Sequence, residues 1–211
     1  PDGKWVAYTR NSTDFDNDAF VNHIWLIDTA TGNSFQLTRG EKSASSPQWS
    51  PNGQWLAFTS SREGDKNQIF AIRPIGGEAV RLTDAENGVG GFEWSPDGKS
   101  IAFLATDAES KEMKARKEHV GPYDVVRKEY RFRHIWTFEV AAALDELQKG
   151  TQRTKGSDFN VWSFEWSPDS KQIAFGATVN PDFVNFGTSD IYLLEVAADS
   201  SWKIVSQPGP D

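Results

Sequence analysis

The chain has 211 residues, 37% of them hydrophobic and 25% charged, which suits a globular protein with one large core or two small ones. It contains no cysteine, which excludes disulfides, thiolate metal sites and a cysteine nucleophile within this segment. Its formal net charge of −8 argues against a general nucleic-acid binder, which needs a basic face, and no apolar run approaches the ~20 residues of a membrane helix.

The chain opens on PDGKWVAY, Pro1 to Tyr8, and the same phrase returns three times. WSPNGQWLAF runs from Trp49 to Phe58, WSPDGKSIAF from Trp94 to Phe103, and WSPDSKQIAF from Trp166 to Phe175. In each, a short strand ends in Trp-Ser and Pro-Asp-Gly or Pro-Asn-Gly makes the turn. Pro presets φ at the first corner, Asp or Asn suits the second, and Gly takes the left-handed conformation that follows. Ser170 replaces that Gly in the last copy, so its turn is expected to be strained or differently shaped.

A second strand follows each turn (WVAYT, WLAFTS, SIAFLAT, QIAFGAT). A third starts at His23, Gln68, His134 and Asp190, and a fourth is FQLT, VRLT, TQRT and WKIVS. Strands two and three are apolar on both faces, as stacked sheets require and a one-sided sheet does not. Ala7, Ala57, Ala102 and Ala174 share one register, where a small residue lets neighbouring sheets approach. The fold expected is an all-β propeller of four-stranded blades, about four being present and the first incomplete. They fall at approximately 1–40, 41–87, 88–157 and 158–211, and the abrupt start and the ending on QPGPD suggest an open fragment of a larger ring. Two of the three intervals between turn prolines match the ~40–50 residues of a blade; the third holds an insertion at 107–134.

Within that insertion, Thr106 and Glu109 match a capping box, and ESKEMKARKE looks helical, with Glu112 and Arg116 four apart; lacking an apolar stripe, it is expected to be a solvated helix or a flexible tether. HVGPYDVVRKEYRFRH follows. Long loops on rigid scaffolds carry function, so Glu129, Tyr130, Arg131 and Arg133 are candidate substrate-binding residues, beside the plainer reading of a solvated excursion. Val140 to Gly150 should form a helical turn closed by Gly150 at C′. Asp14, Asp16 and Asp18 alternate, but Ala19 and Trp25 stand where a calcium loop needs Gly and Glu, and no metal or cofactor is expected. His23 and His134 occupy the slot held elsewhere by Gln68 and Asp190, which marks a polar strand start and not a base. No GxSxG elbow, HExxH helix, P-loop or GxGxxG occurs, so no catalytic residue is assigned.

WSPDGKxIAF followed by xIWxxD and QLT resembles the propeller repeats of TolB-like proteins and of the prolyl oligopeptidase family of serine peptidases. DIYLLEVAADSSWKIVSQPGPD, RKEYRFRHIW and FTSSREGDKNQIFAIRPIGGEAVRLTD look like the N-terminal propeller of dipeptidyl-peptidase or acylaminoacyl-peptidase-like members. That resemblance implies peptide hydrolysis through an acyl-enzyme by a Ser, a His and an Asp, all in a C-terminal α/β-hydrolase domain absent from this segment. The propeller's share would be to gate access and contact the peptide, with Glu129 near its amino terminus and Arg131 near a carboxylate or carbonyl. The rival readings are a TolB-like propeller that holds a protein or peptide partner, and a pure scaffold. Neither nucleic acid nor membrane is an expected partner, and composition does not choose between cytoplasm and periplasm.

Overall fold

The computed structural model describes residues 1–15, 18–121, 130–198 and 200–205. Antiparallel meanders dominate it. β1 (Trp5–Asp14), β2 (Ala19–Asp28) and β3 (Ser34–Gln36) form a three-stranded sheet. β4 (Ala44–Trp49), β5 (Leu56–Ser60), β6 (Gln68–Ile72) and β7 (Val80–Arg81) form a four-stranded one, in chain order. β8 (Phe92–Trp94), β9 (Ser100–Thr106), β10 (Arg133–Glu139) and β11 (Thr151–Gln152) repeat it, as do β12 (Asn160–Trp166), β13 (Gln172–Thr178), β14 (Asp190–Glu195) and β15 (Ser200–Val205). The chain divides into two compact units, Pro1–Ala102 with Phe138–Gly150 and Phe103–Thr137 with Thr151–Asp211.

The Trp-Ser-Pro-Asp-Gly phrase is a self-contained hydrogen-bonded device. Ser95 Oγ donates to Asp97 Oδ1 (2.7 Å) and accepts from Ser100 N (2.9 Å), while Asp97 Oδ1 accepts from Lys99 N (3.0 Å). Ser50 with Asn52, and Ser167 with Asp169, make the same bonds. These are the local side-chain-to-backbone bonds that fix a turn. Gly53 and Gly98 take φ of 68° and 71°, and each turns its α-carbon toward the proline of the preceding repeat's turn. A Cβ on Gly98 would lie 3.5 Å from Pro51 Cδ. Ser170 adopts φ of 61°, so the fourth turn keeps the shape of the others and a non-glycine residue bears the left-handed strain.

Two-sided burial holds in the second and third sheets. All five residues of β5 and of β6 are buried, as are Ile101 to Ala105 of β9. It does not hold in the first sheet, where β1 buries none of its ten residues and Val6 and Phe35 lie open. There the inward face joins the core: Ile24 and Leu26 cluster with Leu56, Phe58, Phe70 and Ile72, with Trp5 and Ala7 against them. The opposite face stays partly open, with Arg10 laid over the Trp25 ring at 5.0 Å.

A third recurring device lies where the fourth strand of a sheet runs out. The buried Thr38, Thr83 and Thr154 each turn Oγ1 to accept the amide of Ile24, Ile69 and Ile135, all at 2.9 Å. The side chain thus replaces a ladder bond that a two- or three-residue strand cannot reach.

Several local expectations are corrected. The helix of the insertion, α1 (Lys111–Val120), starts beyond the expected box: Ser110 caps it by accepting from Met113 N (3.1 Å), and Thr106 ends β9. Only Met113 of α1 is buried, so the helix is solvated as its lack of an apolar stripe implies. Helix α2 (Val140–Asp145) stops at Glu146, whose amide bonds Ala142 O. Gly150, with φ of 83°, turns the chain into β11 and closes no helix. The 180–190 stretch, which reads in sequence as a solvated loop, contains a 3-10 helix, Phe183–Thr188. Asp14 and Asp18 belong to the tip of the long β1–β2 hairpin, and Asp16 lies outside the described residues.

Candidate functional site

The candidate residues gather at the base of the 107–132 excursion, within the second unit. β9 delivers Asp107 and β10 departs from Arg133, so the two ends of the excursion lie side by side. Asp107 N donates to Phe132 O (2.8 Å), and Arg131 Nε donates to Asp107 O (2.9 Å). Arg131 also faces Glu109 (4.0 Å), which pairs with Lys117 of α1. Lys117, and then the nearby Arg131, hold the Glu109 carboxyl below its usual range. All three side chains keep between a quarter and a third of their surface, so the triad anchors α1 over the excursion's base but adds little to stability.

Tyr130 donates from its hydroxyl to Asp182 Oδ2 (2.7 Å), and its ring meets Phe132 edge-on at 6.0 Å. Asn180 Oδ1 accepts from Asp182 N (2.9 Å) and Asn185 Nδ2 (2.7 Å), which fixes the loop that presents Asp182. Tyr130, Phe132, Met113 and Val179 wall a groove of about 490 Å³ with Ser110, Ser157 and Asn180 on its polar side. The amide of Arg133 donates to the buried Asn160 Oδ1 (2.9 Å), which ties the start of β10 to the start of β12. Glu129 lies outside the described residues. Tyr130, Arg131 and Arg133 therefore share one region, with Tyr130 on the groove and Arg131 held inward by Asp107.

His134 sits directly below, with none of its side chain exposed. Its Nδ1 lies 3.1 Å from Thr154 Oγ1 and its Nε2 3.1 Å from Gly156 O. A carbonyl only accepts, so Nε2 carries a proton; Thr154 Oγ1 accepts from Ile135 N and keeps its own proton to donate to a neutral Nδ1. A neutral imidazole satisfies these partners, and complete burial of the ring favours that state. Gln68 does the same work in the second sheet: Oε1 accepts from Thr83 Oγ1 (2.8 Å) and Ala85 N (2.9 Å), and Nε2 donates to Ala85 O (2.9 Å). A carboxamide and a neutral imidazole are interchangeable there because each offers one acceptor and one donor. His134 is thus a structural pin, as its exchange with Gln68 implied. It differs in one respect: Asp107 Oδ2 stands 3.4 Å from Nε2. Burial pulls the His134 pKa down, and Asp107 opposes it.

Sequence reasoning missed Asp107, Asp182 and Thr154. Asp182 meets Tyr130 across 52 residues of chain, and nothing local announces it. The RLT and QRT endings do mark the threonines, and their recurrence before a turn is a usable signal. No cluster of three or more His, Asp or Glu among the described residues could hold a metal ion.

Residues 1–129 match the family described as the TolB beta propeller domain. The uncharacterized peptidase YuxL of Bacillus subtilis is 43% identical over 70 residues, which take in 33% of this chain and 11% of that protein. Among solved structures, an acylaminoacyl peptidase in complex with Z-Gly-Gly-Phe-chloromethyl ketone superposes with a TM-score of 0.70 at 18% identity, over 98% of this chain and 32% of that one. The putative TolB of Agrobacterium tumefaciens gives 0.60 at 18% identity, over 96% of this chain and 61% of that one. The chain thus spans a minor part of its peptidase relatives, and at such identities the superpositions establish the fold. The repeated turn devices, the four meanders and the match over residues 1–129 together place this chain in the TolB beta propeller domain family.

Proposed function

We propose that this chain is the propeller portion of a serine peptidase, and that it gates and contacts peptide substrates while a separate α/β-hydrolase domain performs the hydrolysis. The observation that carries this reading is the stretch shared with YuxL, a protein named a peptidase, at 43% identity. The fold common to this chain and an acylaminoacyl peptidase supports it. The chemistry would be acyl transfer from the peptide to a serine, with a histidine as base, none of it on this chain. The contribution of this chain is positional. Tyr130 lines the groove and is oriented by Asp182, and Arg131 is oriented by Asp107; Glu129 and Arg133 flank the pair in sequence. Acylaminoacyl- and dipeptidyl-peptidase activities are the two subtypes this reading favours.

The family match and the Agrobacterium TolB superposition support a second reading, a binding propeller for a protein or peptide partner. A fluorophosphonate probe applied to the full-length parent separates the two. Labelling of a serine that a peptide substrate protects supports the peptidase. No labelling, under conditions where a control hydrolase labels, removes it and leaves the binding reading.

A further inference from the structure

Each sheet that carries the polar pin puts a different residue above it. The repeats align Arg62 of FTSSR with Asp107 of FLATD, each four residues beyond the buried Phe58 or Phe103. In the second sheet Arg62 lies over the rings of Phe58 and Phe70, at 5.0 and 5.3 Å, and the pin is Gln68, which cannot change charge. In the third sheet the pin is an imidazole and the residue above it is a carboxylate 3.4 Å away. That carboxylate belongs to the residue whose backbone ties both ends of the excursion through Phe132 O and Arg131 Nε.

We propose that His134 and Asp107 form a proton-operated clamp at the base of the 107–132 excursion, in which the charge state of the imidazole sets how Asp107, and through it Arg131, is held. In the neutral state Nε2–H serves Gly156 O and Thr154 donates to Nδ1, so the pin belongs to the Thr154–Gly156 turn. A proton taken from solvent onto Nδ1 abolishes that acceptor. Thr154 must then turn its hydrogen away and accept instead, and the Nε2–H of the new cation gains its strongest partner in the Asp107 carboxylate. The imidazole moves its allegiance from the turn to the excursion. The second sheet, with Gln68 and Arg62, has no such second state.

The groups that face the imidazole are the Asp107 carboxylate at the end of β9, Thr154 Oγ1 and Gly156 O beyond β11, and the Phe159 ring, 6.2 Å away ahead of β12. Further charges reach it through these: Arg131, Glu109 and Lys117 by way of Asp107, and Arg153, whose Nε donates to Thr137 Oγ1 on the same strand as His134. Lys155 and Asp158 flank the Thr154–Gly156 turn from exposed positions, and the Arg133 side chain neighbours His134 on β10. Among the described residues, Asp107 is the charged group that approaches the imidazole directly, at 3.4 Å.

The clamp does not depend on the peptidase reading, and its test uses this chain without any activity. His134 ring and backbone amide resonances are followed from pH 8 to pH 5 in wild type, Asp107→Asn and His134→Gln. The glutamine repeats the Gln68 solution and should fold. The expected result is that the amides of Asp107, Arg131 and Phe132 shift with the same midpoint as the His134 ring. They should stay flat in H134Q. In D107N the ring midpoint should fall, and the Arg131 and Phe132 amides should no longer follow it. A ring that titrates while those amides stay still, an unchanged midpoint in D107N, or unfolding before the ring takes up a proton would each overturn the clamp.

Discussion

Replacing Thr83 by Val tests the idea that fourth-strand threonines complete the sheets. Thr83 has no exposed surface, so valine keeps its shape and removes only the hydroxyl. The Ile69 amide then loses its single acceptor, at 2.9 Å, inside a fully buried strand. An orphaned buried donor costs about 1–3 kcal/mol. Gln68 Oε1 loses the Thr83 bond but keeps Ala85 N, a further loss of about 0.5–1.5 kcal/mol. The expected total is about 2–4 kcal/mol. Urea unfolding should register it as a midpoint lowered by about 1–2 M with an unchanged slope, taking ~2 kcal/mol/M for that slope. Thr9→Val on exposed β1 is the control and should stay within ~0.5 kcal/mol. A Thr83→Val loss below about 1 kcal/mol, or one equal to the control, would refute the role given to the hydroxyl.

Trp94 is 8% exposed and its indole Nε1 donates to Gln48 O (3.3 Å); Trp94→Ala should cost about 3–5 kcal/mol in the same assay. A Cβ on Gly176 would come within 2.8 Å of the Trp162 ring, so Gly176→Ala should cost about 1–3 kcal/mol and change Trp162 emission, and the double variant with Trp162→Ala should recover most of the loss. His134 is held below its ordinary value of 6.5, first by burial, so below that pH the unfolded chain binds more protons than the folded one. Its contribution is full above about pH 6.5 and is lost as pH falls toward the lower, folded-state value. His23, also lowered by burial and then by Arg62, acts with the same sign, so the difference between wild type and His134→Gln in pH-dependent melting isolates His134 and should vanish above pH 7. A difference that grows with rising pH would mean that the histidine is held charged.

The fold was legible because its turns are local. Ser95, Asp97 and Gly98 meet within a few residues, so the phrase that repeats in sequence is the bonded unit in space. The register of Ala57 against Ala71 follows from the same period-two pattern. Burial was legible only where a second sheet exists on both sides, which explains why β1 reads as a two-faced strand and lies open. The cap at Ser110 was missed because Thr106 and Glu109 offer the right types four residues early, and β9 claimed Thr106 for its ladder. The candidate residues were legible as a stretch of sequence and not as a network. Tyr130, Arg131 and Arg133 stand out as an irregular polar run, but Asp182 and Asp107 become partners only once β13 and β9 deliver them.

The pin at Gln68 and at His134 lies beneath the connection from the second strand to the third, and it fastens that strand to the turn beyond the fourth. Whatever chain is spliced in above it leaves the ladder below undisturbed. Hence Ser61–Asn67 and the far longer Asp107–Phe132 can top near-identical meanders. A library of foreign segments placed at 61–67 should be accepted in proportion to how well each spares Ser60 and Gln68, which makes this position a port for new recognition surfaces.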